Sequence, residues 1–327
     1  MDRYISVDCG KAETKICVRI NSDSSIAKSK FATRVIERFN GDGFESMDAT
    51  KTGCFKVSYD GHDYAVGNFV TDEDGFTSNN NSKNDIIHKV ATLTAIASVV
   101  NNGDVVRVVI GCPVGLFSNK ANREKYLAAL LPKGRVDISV NGAEKHFTIT
   151  QTFVLPESCG TIYTCDDKFD NKSVGIIDIG GLNINCSVYD NRTLVVESCF
   201  TEQLGRKILV ENVKKAIETK TETEFHAYEI ERFIQQGYIT NKDSNYEEES
   251  KEFVKEHLKS HIEKIWKVCK AHHWNLDYMN LIFIGGTSIM LRNNIFAEYP
   301  KAFIPDEANF INAEGFLRWM CSSLHVM

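Results

Sequence analysis

The sequence predicts an α/β protein made of two copies of a similar core, and three observations predict it. An apolar strand ending in aspartate, a glycine turn and a returning strand occur twice, at residues 3–8 and 14–20 and again at 174–179 and 184–189. Asp8 and Asp178 lie about half a chain apart, the spacing of an internal duplication. Continuous apolar runs at 105–110 and 279–284 are of the kind buried on both faces of a sheet, and each is followed by glycine. Helical periodicity separates these strands, as in Ile86, Ile87, Val90, Leu93, Ile96, Ala97 and Val100.

Each element follows from local chemistry. Cys9-Gly10-Lys11-Ala12-Glu13 is the turn of the first hairpin, and Tyr59-Asp60-Gly61-His62 turns a second between residues 55–58 and 63–66. Polar Thr71 to Asn84 reads as a loop, and Gly103 closes the helix that follows it. After the 105–110 strand and Gly111-Cys112-Pro113 comes a helix at about 118–131, then an Asn141-Gly142 hairpin whose second strand runs on through 147–154. In the second half, residues 205–275 are helical in pattern and end in a charged amphipathic segment at 247–273; residues 309–324 form a terminal helix. Alternating strands and helices in each half predict two α/β domains with a cleft between them.

Composition narrows the function. Hydrophobic residues make up 43% and charged residues 25%, which excludes dominant disorder. Against 38 Lys and Arg stand 44 Asp and Glu, so the chain as a whole lacks the positive field of a direct duplex-DNA binder. The first residues carry Asp2 and Asp8 without the apolar run of a secretory signal, and the apolar stretch at 90–100 is too short to span a bilayer. A cytoplasmic protein with no membrane association is expected. Ten cysteines scattered without a Cys-x-x-Cys pair read as reduced core thiols.

Four turns carry the chemistry. At Asp8-Cys9-Gly10-Lys11, a strand-ending carboxylate suits a hydrated Mg²⁺, glycine lets backbone N–H groups approach phosphate oxygens, and Lys11 and Lys15 add charge. The same physics applies at Asp178-Ile179-Gly180-Gly181, so the two loops together suit one phosphate tail. In Leu155-Pro156-Glu157-Ser158 a strand breaks at proline and Glu157 opens a small-residue helix. It is there either as a dipole-favoured first-turn acid or as the group that orients a water. Phe283-Ile284-Gly285-Gly286-Thr287 is a strand-to-helix turn suited to a base or ribose lying flat on the backbone. No G-x-x-x-x-G-K-[ST] occurs, which excludes a P-loop.

In order, these turns resemble the actin, Hsp70 and hexokinase superfamily of ATPases. The set runs through phosphate loop one, a connecting segment at Ile110–Val114, phosphate loop two, the adenosine turn and a second connecting segment at Asn312-Ala313-Glu314-Gly315-Phe316. Leu-Pro-Glu-Ser at 155–158, Gln203-Leu204-Gly205 before a helix, and the helical stretch 229–239 are similar to ParM-type bacterial actin-like proteins. The resemblance implies an actin-like fold: two duplicated, ribonuclease H-like α/β domains flanking a nucleotide cleft, each with an inserted subdomain. Residues 1–165 would form domain I with 308–327 packing back on it, and 166–307 domain II with a helical insertion at about 205–278.

The resemblance also implies roles. Asp8 and Asp178 would hold hydrated Mg²⁺, and Glu157 would position the attacking water. Gly10, Lys11, Lys15, Gly180, Gly181, Leu182 and Asn183 would surround the phosphates of ATP or GTP; Gly205, Lys207 and Glu211 would lie near ribose or base; Gly285, Gly286 and Thr287 would close the pocket. The implied activity is Mg-dependent nucleotide hydrolysis coupled to a helical filament of identical subunits that segregates plasmids. Plasmid DNA would be reached only through a small DNA-binding adaptor of ParR type. Where the family often has two threonines this chain has Leu182-Asn183, where Asp is common it has Asn185, and Thr287 replaces a third glycine. A small-molecule kinase or phosphatase of the superfamily, or a cytoskeletal actin homologue unconnected with plasmids, is the alternative.

Other residues have plainer explanations. His257 and His261 are four apart on a helix but lack the His-Glu-x-x-His arrangement of a metal site, and Cys269, His272 and His273 sit at a helix end. Residues 246–252 form a solvated charge run, and Phe316, Trp319 and Leu324 are core-packing residues of the last helix or line a partner groove.

Overall fold

The computed structural model describes residues 1–20, 25–38, 48–71 and 85–326. The chain divides into two compact units, Met1–Cys165 with Phe310–Met327, and Asp166–Asn309. The first unit begins with β1 (Asp2–Cys9), β2 (Glu13–Ile20), β3 (Ala27–Ala32), β4 (Val35–Arg38), β5 (Cys54–Tyr59), β6 (His62–Gly67) and α1 (Ile86–Ser98). It continues through β7 (Val105–Cys112), α2 (Val114–Phe117), α3 (Lys120–Leu130), β8 (Gly134–Val140), β9 (Ala143–Pro156) and α4 (Gly160–Thr164). The second holds β10 (Ser173–Ile179), β11 (Ile184–Asp190), β12 (Thr193–Glu202), α5 (Arg206–Thr221), α6 (Ala227–Gln236), α7 (Ser244–Ala271), β13 (Asn280–Ile284), α8 (Gly286–Met290) and α9 (Arg292–Glu298). The chain then rejoins the first unit as α10 (Ile311–Ser323).

Among the described residues the first unit has one nine-stranded sheet, ordered β3-β2-β1-β7-β9-β8-β5-β6-β4. Its centre is parallel, with β7 joined to β1 on one side and to β9 on the other. Both faces of β1 are covered, so Ile5 and Val7 are buried, and so are the alternate residues Ser6 and Asp8. Arg3 is buried with them and donates from Nε to Asp104 at 2.7 Å. Helix α1 starts where the Asp85 carboxylate caps the His88 N–H, and its apolar side packs on β1 and β2. From the other direction α10 crosses α4 so closely that a methyl on Gly315 would stand 2.0 Å from the Gly160 carbonyl oxygen. Backbone meets backbone there because neither residue carries a side chain.

The second unit repeats the first in miniature. Its sheet runs β12-β11-β10-β13: an antiparallel meander followed by a parallel partner, as in β3-β2-β1-β7. Helices α5, α6 and α7 supply Leu209, Val213, Phe233, Leu258 and Ile262 to a core closed by Ile177, Ile179 and Phe283. No helix among the described residues is long and apolar enough to cross a membrane.

The strands absent from the sequence expectation are β3, β4 and β12, and all three are sheet edges. β3 reads AKSKFA and presents mostly exposed side chains, so the ladder to β2 holds it without an apolar alternation. Pro156 does not break its strand; it ends β9 paired opposite Cys112. Of the expected loop at Thr71 to Asn84, residues 72–84 lie outside the described residues.

Candidate functional site

Both glycine hairpins close in the same way. Gly10 donates to the Glu13 carbonyl at 3.0 Å, and Gly180 to that of Asn183 at 2.9 Å. A Cβ would meet that carbonyl oxygen at 2.9 Å at Gly10 and at 3.1 Å at Gly180, so both turns are tight, the first more so. In register, Asp8 stands opposite Lys15 and Asp178 opposite Asn185.

In the first unit the carboxyl ends of β1, β7 and β9 lie side by side, the edge at which parallel sheets commonly bind ligands. Asp8, at the end of β1, is 7% exposed and 3.8 Å from Lys15 Nζ. Glu157, just past β9, is 5% exposed, and its N–H donates to the Cys112 carbonyl at 2.8 Å. Between them the Tyr126 hydroxyl donates to the Gly111 carbonyl at 3.1 Å. Burial, with Glu157, Cys9, Cys112 and Asp8 nearby, drives the Tyr126 phenol well above its usual pKa, so it stays a donor. The Ser158 N–H is met by the Asn312 side chain of α10 at 3.1 Å. Glu157 is therefore a loop residue: α4 begins only at Gly160, with no acid in its first turn, because left-handed Ser158 turns the chain before the helix starts. The reading of Glu157 as a first-turn dipole acid is corrected accordingly.

In the second unit Asp178 precedes the loop Gly180–Asn183, and three successive N–H groups from the start of α5 hold that loop. Gly205 donates to Leu182, Arg206 to Gly180 and Lys207 to Gly181, at 3.1, 3.0 and 2.8 Å. A Cβ on Gly205 would sit 2.5 Å from the Leu182 carbonyl carbon. Gly285 takes φ +89°, and a Cβ there would stand 2.5 Å from both Asp178 Oδ1 and the Ile179 carbonyl oxygen. Thr287 is buried, and its hydroxyl donates to the Gly180 carbonyl at 3.0 Å, so it ties the two glycine turns together. Gly286 has open space around it, and Lys207 and Glu211 are exposed on one face of α5. Asp178, Gly180, Gly181, Leu182, Asn183, Gly205, Gly285 and Thr287 thus form one neighbourhood. Gly10 and Lys15 form the other with Asp8 and Glu157; Lys11 is half-buried in the first turn.

Sequence reading missed Tyr126, and it placed Asn312 in the second connecting segment without its contact to Ser158. Tyr126 sits on a mostly polar helix with no motif around it, and Asn312 acts across more than 150 positions of chain. Among the described residues no cluster of three or more His, Cys, Asp or Glu could hold a metal on its own. His257 turns Nδ1 to the Phe253 carbonyl, whereas His261 turns Nε2 to that of Leu204.

Residues 6–160 match the family model of the actin-like proteins N-terminal domain. No match emerged among curated proteins. The whole chain is similar to three solved structures at a TM-score of 0.71 each: the Alp12 filament, at 25% identity over 99% of both chains; the archaeal actin homologue Ta0583 in complex with ADP, at 14% identity over 98% of this chain and 99% of that one; and a 15-stranded ParM filament from Clostridium botulinum, at 17% identity over 97% and 98%. The N-terminal region thus matches the actin-like protein family, and the chain has the actin-like fold along nearly its whole length.

Proposed function

We propose that this chain is a nucleotide-dependent, filament-forming NTPase of the ParM kind that segregates plasmids through a small DNA-binding adaptor. The observation that carries the nucleotide reading is the doubled Asp–glycine hairpin, with the same loop length, the same closing hydrogen bond and a carboxylate at the same register position in each unit. Filament formation is supported by full-length likeness to the Alp12 and ParM filaments, and nucleotide binding by likeness to an archaeal homologue in complex with ADP.

The residues fit a phosphate and a magnesium ion. With glycine at 10 and 180 no side chain stands over these tight turns, so a ligand oxygen would meet backbone N–H groups and the Lys15 ammonium. Asp8 and Asp178 supply the hard oxygen donors that hydrated Mg²⁺ takes, and the ion would offset charge on the phosphates. Glu157, buried and fixed by Cys112, would orient the attacking water and accept its proton. Hydrolysis then needs positioning and electrostatic stabilisation, without a covalent intermediate. Lys207 and Glu211 would flank the ribose or base.

Light scattering with Mg²⁺ and either ATP or GTP, with phosphate release followed in the same sample, tests this reading. A nucleotide-dependent rise in scattering, then phosphate release and decay, all lost in Asp178→Ala, is the expected result. Phosphate release without scattering over a broad concentration range overturns the filament and favours a soluble kinase or phosphatase.

A further inference from the structure

We infer that His261, on α7, is a positioning residue for the second glycine loop, holding it in the shape that receives a nucleotide phosphate. The inference rests on the nucleotide reading above. His261 is 2% exposed, and its Nε2 lies 3.1 Å from the Leu204 carbonyl oxygen. A carbonyl only accepts, so the imidazole proton sits on Nε2. The next three residues in the chain, Gly205, Arg206 and Lys207, are the ones whose N–H groups hold Leu182, Gly180 and Gly181. Fixing the Leu204 carbonyl fixes the peptide plane whose other side is the Gly205 N–H. A continuous path of hydrogen bonds therefore runs from the buried face of α7 to the loop.

Three further observations separate this arrangement from simple core filling. The His261 Nδ1 is buried and has no hydrogen-bond partner among the described residues, an expense that an apolar side chain at this position would avoid. Burial, aided by the charge of Lys264 and opposed by the Leu204 contact, brings the imidazole down to about 4, so near neutral pH it carries its single proton. The neighbouring positions Leu258, Ile262 and Ile265 are apolar and buried, so the helix face accepts aliphatic residues where packing is the only demand.

The experiment compares wild type with His261→Gln, which keeps an N–H donor at similar reach, His261→Leu, which removes it, and Ile265→Ala, which removes packing from the same face. Fluorescent ATP and GTP analogues are titrated with Mg²⁺, and thermal unfolding is recorded for each protein. The expected result is an affinity about tenfold weaker in His261→Leu and within about threefold of wild type in His261→Gln, the scale of one lost buried hydrogen bond. Ile265→Ala is expected to lower the unfolding midpoint while binding nucleotide as wild type does. Wild-type affinity in His261→Leu, or an equal loss in Ile265→Ala at equal stability, overturns the positioning role. Absence of binding by wild type overturns the nucleotide reading itself and this inference with it. Should His261→Leu fail to fold, the wild-type imidazole N–H resonance, assigned by its loss in His261→Gln, decides. Nucleotide is expected to shift it and slow its exchange, and an unchanged signal overturns the inference.

Discussion

Asp8 and Lys15 face each other across the first hairpin, carboxylate oxygen and ammonium nitrogen 3.8 Å apart and both largely shielded from solvent. The repeat puts Asn185 where the first unit has Lys15, and its side-chain oxygen accepts from the Thr201 hydroxyl at 2.8 Å. One hairpin thus carries a cation beside its aspartate and the other a neutral amide, so under the nucleotide reading the two loops divide the work. The first would supply charge, and the second backbone donors.

Lys15→Met therefore removes a side-chain cation from the first loop without removing bulk. Affinity for a nucleoside triphosphate is expected to fall by about tenfold or more, the scale of a charge-assisted contact. Affinity for adenosine or guanosine alone should change far less. Titration with both ligand types checks the difference.

Asn185→Asp places a second carboxylate directly across from Asp178. Like charges opposed on neighbouring strands cost about 0.2–1 kcal/mol, so the variant should unfold earlier without divalent cation. Added Mg²⁺ should restore more stability to it than to wild type, which melting with and without the ion measures.

Gly285→Ala and Gly286→Ala form a matched pair. The first forces a Cβ to within 2.5 Å of Asp178 Oδ1 at φ +89°; the second meets nothing within 4 Å. A loss of about 2 kcal/mol or more is expected for Gly285→Ala and a change within about 0.5 kcal/mol for Gly286→Ala, read from urea unfolding.

Tyr126→Phe deletes the hydroxyl bound to Gly111 and leaves the ring in place. Gly111 and Cys112 lie between Asp8 and Glu157, so turnover should fall several-fold while nucleotide affinity stays within about threefold. Equal losses in both would place Tyr126 in general folding instead.

Asp104 is one source of acid sensitivity in the first unit. Burial opposes its charge, but the Asn101 N–H, Arg3 and the terminal ammonium outweigh burial and hold its pKa below the ordinary value. The unfolded chain then binds a proton that the folded chain resists. This stabilisation is present in full above the unfolded carboxylate range, and it is lost as pH falls through the folded value, below about pH 4. Asp104→Asn should be less stable at neutral pH by about 1–3 kcal/mol and should lose less on acidification, as urea midpoints across that range will show.

Much of the fold was legible because its core strands are continuous apolar runs ending in aspartate or glycine, and β1, β7, β10 and β13 needed no partner to be recognised. The edge strands β3, β4 and β12 were not, since pairing to one neighbour leaves half their side chains in water and erases the apolar pattern. At the candidate site, Asp8, Asp178 and the glycines announced themselves through composition and spacing. Tyr126 did not, and neither did the partners of Asn312 and His261, because each of these side chains meets a backbone group outside its own segment.

The sequence by itself determined the duplicated core, the two carboxylate-and-glycine turns and the acidic balance, all of which follow from local residue chemistry and its repetition. Only the tertiary structure decided that Glu157 is a buried loop residue, that Thr287 binds the Gly180 carbonyl and that α10 crosses α4 through glycines. Those outcomes depend on which backbone groups arrive next to one another after packing. No local pattern encodes that arrival, because the partners are set by the closing of buried surfaces over long stretches of chain.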